Sequence, residues 1–499
     1  MGFEWWDKLE FDVKPYMVES ATRKISNLRR SRRLREYFIS PLATLSLAMS
    51  ICAVVAATAS AQTEGPISSL PDSQTHIQAQ SAEKFVDSMG VNVHLEMTHG
   101  PYGNYPLINS RLSALGMRHI RDEINDTDSS FVSEINTIGQ LGYRLCGLIE
   151  GGNDYPPLGT RLDPALIVPM IMNLEPTIEA VEGPNEPDDG AFVYGPSGAT
   201  YPLGAIEESK DLWKIVKDSA EIRSLPVVVM SEGNAKDFLK LRAITPPPID
   251  YADFGNMHAY QGGSVGDAGL TRWYIPHSQD LTGGEKLWTT EMGYHNNTNY
   301  LSDGEQQGVS QRASAIYLPI AFLSGFRLGV IRTFAYELID EGIDLQLPSG
   351  SGENHYGLLN YDGSPKPAYT AMKNLISLLR DSGQDNLQMQ SLPVTFSGAP
   401  ETMRYALLQK SNGAYYLAIW NDVSVYRVAT QQHPGKDLYP GEIPITLTFR
   451  HPENFTVFAP NDPTGVNPTS AYTFAITSKS IELDLPPEVL LVEIQSASN

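Results

Sequence analysis

Between Gly90 and Arg380 the chain alternates short runs suited to strands with longer stretches whose apolar residues recur at spacings near three and four. Eight such runs stand out: Gly90–His94, His119–Arg121, Tyr143–Ile149, Ile178–Glu182, Pro226–Ser231, Phe254–Tyr260, Leu287–Glu291 and Val330–Tyr336. Helical periodicity fills the intervals, as at Leu107–Leu115, Phe131–Leu141, Leu203–Ser219, Gln306–Leu323 and Ala368–Leu379. Eight strand–helix units are what a parallel (β/α)8 barrel requires, so the expected class is α/β with a TIM barrel over residues 90–380. A doubly wound open sheet is the competing architecture, but no Gly-x-Gly-x-x-Gly loop follows the first run.

After Arg380 the period shortens to two. Met403–Gln409, Ala414–Trp420, Ile443–Phe449, Phe455–Phe458, Tyr472–Ile476 and Val489–Ile494 alternate apolar and polar residues, with Asn-Gly, Pro-Gly and Asn-Asp turns between them. An antiparallel β-sandwich over residues 381–499 is expected, with the segment 62–89 able to supply one strand to it.

Residues 1–61 have a different character. Arg29, Arg30, Arg32, Arg33 and Arg35 precede an apolar run from Leu42 to Ala57, which ends in Ala59-Ser60-Ala61. This is the pattern of a secretory signal peptide cleaved before Gln62; an uncleaved membrane anchor is the alternative, and twin-arginine export the weaker export route. Cleavage removes nine Lys/Arg and six Asp/Glu, taking the formal net charge from −22 to −25. Such acidity disfavours nucleic acid and anionic membranes as partners. Only Cys146 then remains, inside an apolar run, so no internal disulfide is expected and the thiol reads as a small buried hydrophobe.

Two carboxylates stand where strand-like runs break into Gly and Pro: Glu186 in Gly183-Pro184-Asn185-Glu186-Pro187, and Glu291 in Thr290-Glu291-Met292-Gly293. They follow the fourth strand and end the seventh, and barrel active sites lie at the C-terminal ends of the strands. Retaining glycosidic cleavage needs a carboxylate nucleophile and a second carboxyl, about 5–5.5 Å apart, serving first as acid and then as base. Either acid alone would be an ordinary rim residue; it is the pair that carries chemistry.

With Arg121 at the second strand and His258-Ala259-Tyr260 at the sixth, these motifs resemble clan A of the glycoside hydrolases, the retaining TIM-barrel enzymes, over roughly residues 90–379. His355-Tyr356-Gly357-Leu358-Leu359 and Ser364-Pro365-Lys366-Pro367-Ala368-Tyr369 are similar to members whose last helix leads into a C-terminal sandwich, and families 5, 39 and 79 are nearest in pattern. The resemblance implies Glu186 as acid/base, Glu291 as nucleophile, Asn185 as partner of the sugar 2-hydroxyl, Arg121 as the group holding Glu291 ionised, and His258 and Tyr260 as orienting residues. Clan members often carry a Trp near the end of the eighth strand; this chain has Phe334-Ala335-Tyr336-Glu337, so Tyr336 would serve as the sugar platform. Trp273 and Tyr294, with Tyr102, Tyr155, Tyr194 and Tyr356, are further candidates for stacking on sugar faces.

Glu182 reads as a structural ion-pair partner of Arg332. No cofactor or metal is expected: His94 and His99 lack a His-x-His spacing, no Lys follows the fourth strand, and the acidic segment Asp122–Asp128 lacks the full calcium-loop pattern. The expected partner is a carbohydrate. The rival reading is a non-catalytic carbohydrate-binding or cell-surface module on a glycosidase-like barrel.

Overall fold

The structure is a computed structural model describing residues 75–497 apart from 125–128, 151–159, 190–191, 235–236, 246–248, 285, 302–305, 343–350, 383–387 and 468–476. The proposed export segment, Tyr155 and the expected strand at Tyr472–Ile476 lie outside the described residues. Among the described residues no helix is long and apolar enough to cross a membrane.

Seven parallel strands form one sheet, in the order Trp288–Met292, Arg332–Ala335, Met89–Asn92, His119–Glu123, Arg144–Leu148, Ile178–Glu182 and Val227–Val228. The remaining gap is bridged by the segment 254–260, through single parallel pairings of Phe254 with Val228, Gly255 with Leu287 and His258 with Glu291. That segment was expected as a full strand, yet it makes no continuous ladder. The side chain of Asn256 takes the place of main chain there: Nδ2 donates to the Val229 carbonyl at 3.2 Å and Oδ1 accepts from the Thr290 amide at 3.4 Å.

Each strand is followed by a helix: Tyr105–Leu115, Ser129–Gln140, Pro164–Asn173, Leu203–Asp218, Phe238–Ile244, Ile275–Thr282, Gln311–Arg327 and Pro367–Leu379. Cys146, Ala180, Val228, Trp288 and Phe334 pack into one cluster that fills the barrel interior. Gly90 is required beside it, because a Cβ there would stand 2.3 Å from Cδ1 of Phe334. Beneath the cluster, Arg332 lies over the Trp288 ring and pairs with Glu179, whose other oxygen meets Nδ1 of His119 at 2.6 Å. The expected Glu182–Arg332 pair is therefore wrong. Glu182 is at the C-terminal end of its strand and Arg332 at the N-terminal end of its own, so they face opposite ends of the barrel.

The C-terminal sheet has eight strands, all pairings antiparallel except Gln80–Ser81 against Leu408–Gln409. Thr75–Gln78 pairs with Ser391–Ser397, tying the segment before the barrel to the segment after it. Two expected strands, Ile443–Phe449 and Phe455–Phe458, are one strand, Ile443–Phe458. A register shift across the exposed residues 450–452 lets it turn without breaking. Its first half pairs with Ser391–Ser397 and Ser478–Leu485, its second with Leu490–Ser496. Val394, Leu447, Leu417 and Val492, drawn from both halves, share one core. Polar links tie the C-terminal region to the barrel: Arg404 Nε of this sheet is 3.1 Å from Asp267, and Tyr317 Oη accepts from the amides of Val425 and Tyr426, in the segment after Tyr415–Asn421, at 2.8 and 3.0 Å.

Candidate active site

Above the apolar plug the barrel interior turns polar, and Arg121 is its hub. Strand alternation points this side chain inward two residues beyond His119, and it is buried with every N–H engaged. Nε and Nη2 clasp Glu182 at 2.8 and 3.0 Å; Nη1 donates to Asn92 Oδ1 at 2.9 Å and to Glu291 Oε1 at 2.7 Å; Nη2 also reaches Asn185 Oδ1 at 2.7 Å. Glu182, fully buried, receives further bonds from Asn256 and Thr290, each at 2.9 Å. A buried carboxylate is tolerated when so compensated. Asn92 was not singled out in the sequence, and Thr290 only as the neighbour of Glu291; the inward alternation Gly90, Asn92, His94 on the first strand is the signal that points to Asn92.

Glu291 is the penultimate residue of the seventh strand, with Oε2 accepting from Tyr260 Oη at 2.7 Å and lying 3.4 Å from His258 Nδ1. Burial pushes its carboxyl upward, but the charges of His258 and Arg121 and the Tyr260 bond outweigh this and hold it below the ordinary carboxylate range. Glu186 follows the fourth strand with φ 37°, a left-handed conformation that costs a non-glycine residue about 1 kcal/mol or more. Its amide donates to Ser231 Oγ at 3.1 Å, and a Cβ on Gly233 would come within 2.9 Å of its Oε2. Its Oε1 meets His258 Nδ1 at 2.5 Å.

His258 thus stands between the two acids. Its Nε2 is 3.1 Å from Thr290 Oγ1, whose own proton is directed to Glu182 or Asn256, so this ring nitrogen is a donor. Burial pulls the imidazole down, while Glu291 and Glu186 more than reverse that, and the net shift is upward. Glu186, His258 and Glu291 offer one donor atom each within 4.8 Å, close enough to suggest a metal. Against that, the Arg121 guanidinium already supplies a positive charge beside Glu291.

The structure therefore brings together Glu186, Glu291, Asn185, Arg121, His258 and Tyr260. Tyr336 joins them at one remove, its ring centroid 6.4 Å from that of Tyr260 and its hydroxyl bonded to Glu353, with Tyr356 5.6 Å from Tyr260 on another side. Trp273 does not: it lies in the turn Leu270–Tyr274 against the His277 ring, and the neighbouring Tyr274 reaches inward instead, donating to the Tyr260 carbonyl at 2.6 Å. Tyr294 is a core residue, packed on Tyr317 with its hydroxyl on the Ser264 carbonyl. Tyr194 is likewise buried, its hydroxyl donating to Asp211. His99 is exposed, and Cys146 is buried with its Sγ 3.7 Å from Glu182.

No family model and no curated protein sequence matches the chain. Solved structures do match its fold. A monomeric β-xylosidase from Caulobacter crescentus CB15 superposes with a TM-score of 0.52 at 12% identity, over 85% of this chain and 98% of that one. A glucosidase from Croceicoccus marinus gives 0.51 at 13%, over 78% and 92%. A GH39 enzyme from Xanthomonas axonopodis pv. citri gives 0.51 at 12%, over 84% and 96%. At such identities the likeness is one of fold, and the chain has the α/β barrel fold of these glycoside hydrolases.

Proposed function

We propose that this protein is an exported retaining glycoside hydrolase acting on a poly- or oligosaccharide by double displacement. The observation that carries this reading is the separation of the two acids: carboxylate oxygens of Glu186 and Glu291 lie within 4.8 Å of one another. This is nearer the about 5–5.5 Å between the carboxyls of retaining enzymes than the about 6.5–9.5 Å by which inverting enzymes admit a water.

In the first step Glu291 attacks the anomeric carbon while Glu186 gives its proton to the departing glycosidic oxygen. The ester that forms removes the negative charge from Glu291, and the Glu186 carboxylate can then take a proton from the water that cleaves it. Arg121 and Tyr260 keep Glu291 ionised and aimed. His258 holds a proton at Oε1 of Glu186. Asn185 spends its Oδ1 on Arg121, which leaves its amide NH2 for the 2-hydroxyl of the sugar. Tyr336, Tyr356 and Tyr260 wall the sugar site.

The same reading divides the chain into an export segment at 1–61, an N-terminal segment at 62–89, a catalytic barrel at 90–380 and a β-sandwich at 381–499. The fold likeness to a xylosidase and a glucosidase supports testing xylosides and glucosides first. The test is a panel of glycans and aryl glycosides with product anomers followed by NMR. First-formed products of retained configuration are expected; inverted products would overturn the mechanism, and tight binding without turnover would leave a carbohydrate-binding module.

A further inference from the structure

We propose that His94, Glu337 and Glu341 form a second site, which binds a divalent first-row transition cation. The residues come from the end of the first strand and the loop after the eighth. Nε2 of His94 stands 3.7 Å from Glu337 Oε2 and 3.7 Å from Glu341 Oε1, and the three atoms lie within 4.8 Å of one another. Those separations are too long for hydrogen bonds. They are close to the roughly 3.3–3.6 Å between donors that share a tetrahedral cation at about 2.0–2.2 Å.

Two independent features support a missing ligand. Glu337 is fully buried and its Oε1 has no hydrogen-bond partner, while Oε2 accepts only from Tyr102 Oη at 2.6 Å; Nε2 of His94 is likewise unpartnered. On the far side of the His94 ring, Glu96 Oε1 faces Nδ1 at 3.7 Å, beyond a hydrogen bond here but placed where a carboxylate stands behind a metal-bound imidazole. Among the described residues neither Glu337 nor Glu341 has a Lys or Arg ion-pair partner.

One imidazole with carboxylates suits Zn2+ or Mn2+ better than Ca2+, which prefers oxygen donors alone. His94 and Glu341 keep 18% and 17% side-chain exposure, so coordination positions not filled by protein open to water or sugar hydroxyls. The His94 ring is 5.7 Å from that of Tyr336, which adjoins Tyr260 and through it Glu291. The cation would sit one aromatic layer from the nucleophile.

The test uses tag-free mature protein stripped with EDTA, titrated with ZnCl2 or MnCl2 by calorimetry, with metal retained after gel filtration counted by mass spectrometry. One equivalent should bind. Glu341→Gln, at a partly exposed position, should fold normally and lose at least about 100-fold in affinity, and Glu96→Gln about 10- to 100-fold. Glu186→Gln should bind as the wild type does. Substoichiometric binding by folded wild type, unchanged affinity in Glu341→Gln, or loss of binding in Glu186→Gln alone would overturn the site. The readout is binding, so it stands apart from whether any glycan is turned over.

Discussion

Arg121 donates through Nη1 to Oε1 of Glu291 at 2.7 Å, a bond joining side chains 170 residues apart in sequence. The same guanidinium clasps Glu182 with two nitrogens, so the charge that keeps the proposed nucleophile ionised is itself held by a fully buried acid.

Replacing Arg121 by Lys keeps the charge but loses the planar fork. Glu182 would be left partly unpaired in a buried site, a change costing about 3–5 kcal/mol. Arg121→Lys should lower Tm by several degrees and cut kcat/KM on an aryl glycoside by about 100-fold or more. A variant with unchanged Tm and a kcat/KM within about tenfold of wild type would remove Arg121 from the role given to it here.

The two acids should fail differently. Glu291→Ala is expected to reduce turnover to background on every substrate. Glu186→Ala should lose about 10^2- to 10^4-fold on poor leaving groups and much less on good ones. Azide should restore rate to Glu186→Ala and give a glycosyl azide of retained configuration, detectable by NMR. Equal losses on both leaving-group classes, without rescue, would reverse or void the assignment.

The pH dependence follows from two shifts of opposite sign. Glu291 must be ionised, and its carboxyl is held below the ordinary 4.5, so the acid limb of kcat/KM should fall below that value. The proton shared with His258 must be retained, and that imidazole is held above the ordinary 6.5, so the alkaline limb should lie above it. A broad plateau across the interval is expected; an alkaline limb centred below 6.5 contradicts the role of His258.

Stability should carry its own pH signature, away from the site. Burial and the neighbouring Asp267 push Asp422 from 3.8 up to about 7. Between those values the folded protein holds a proton that the unfolded chain releases, so stability is lost as pH rises through the window. Asp422→Asn should flatten that slope and gain roughly 3–4 kcal/mol over wild type at pH 8 relative to pH 4. Parallel Tm–pH curves for the two proteins would show that Asp422 is not the source.

Much of the barrel was legible because its signals are local. Strand runs and helical periods are set by neighbours two to four residues away, and the inward or outward sense of a side chain follows from strand alternation. That is why Glu186 and Glu291 were readable as rim residues of one barrel, while Arg121, His258 and Tyr260 came from the resemblance to clan A; the five do meet around one site. Asn256 shows where this reading runs out, since a side chain replacing main-chain bonds leaves the period intact while removing the ladder.

Partners across the barrel obey no local pattern. Glu182 chose Arg121 over Arg332 because the two arginines occupy opposite ends of the interior, a fact of strand register. Trp273 and Tyr294 turned from the acids because helix rotation and core packing claimed their rings. His94, Glu337 and Glu341 met because closure of the sheet places the eighth strand beside the first. Local chemistry and period depend on residues a few bonds apart, whereas long-range pairing depends on how twisted strands close, and closure exists only in the folded chain.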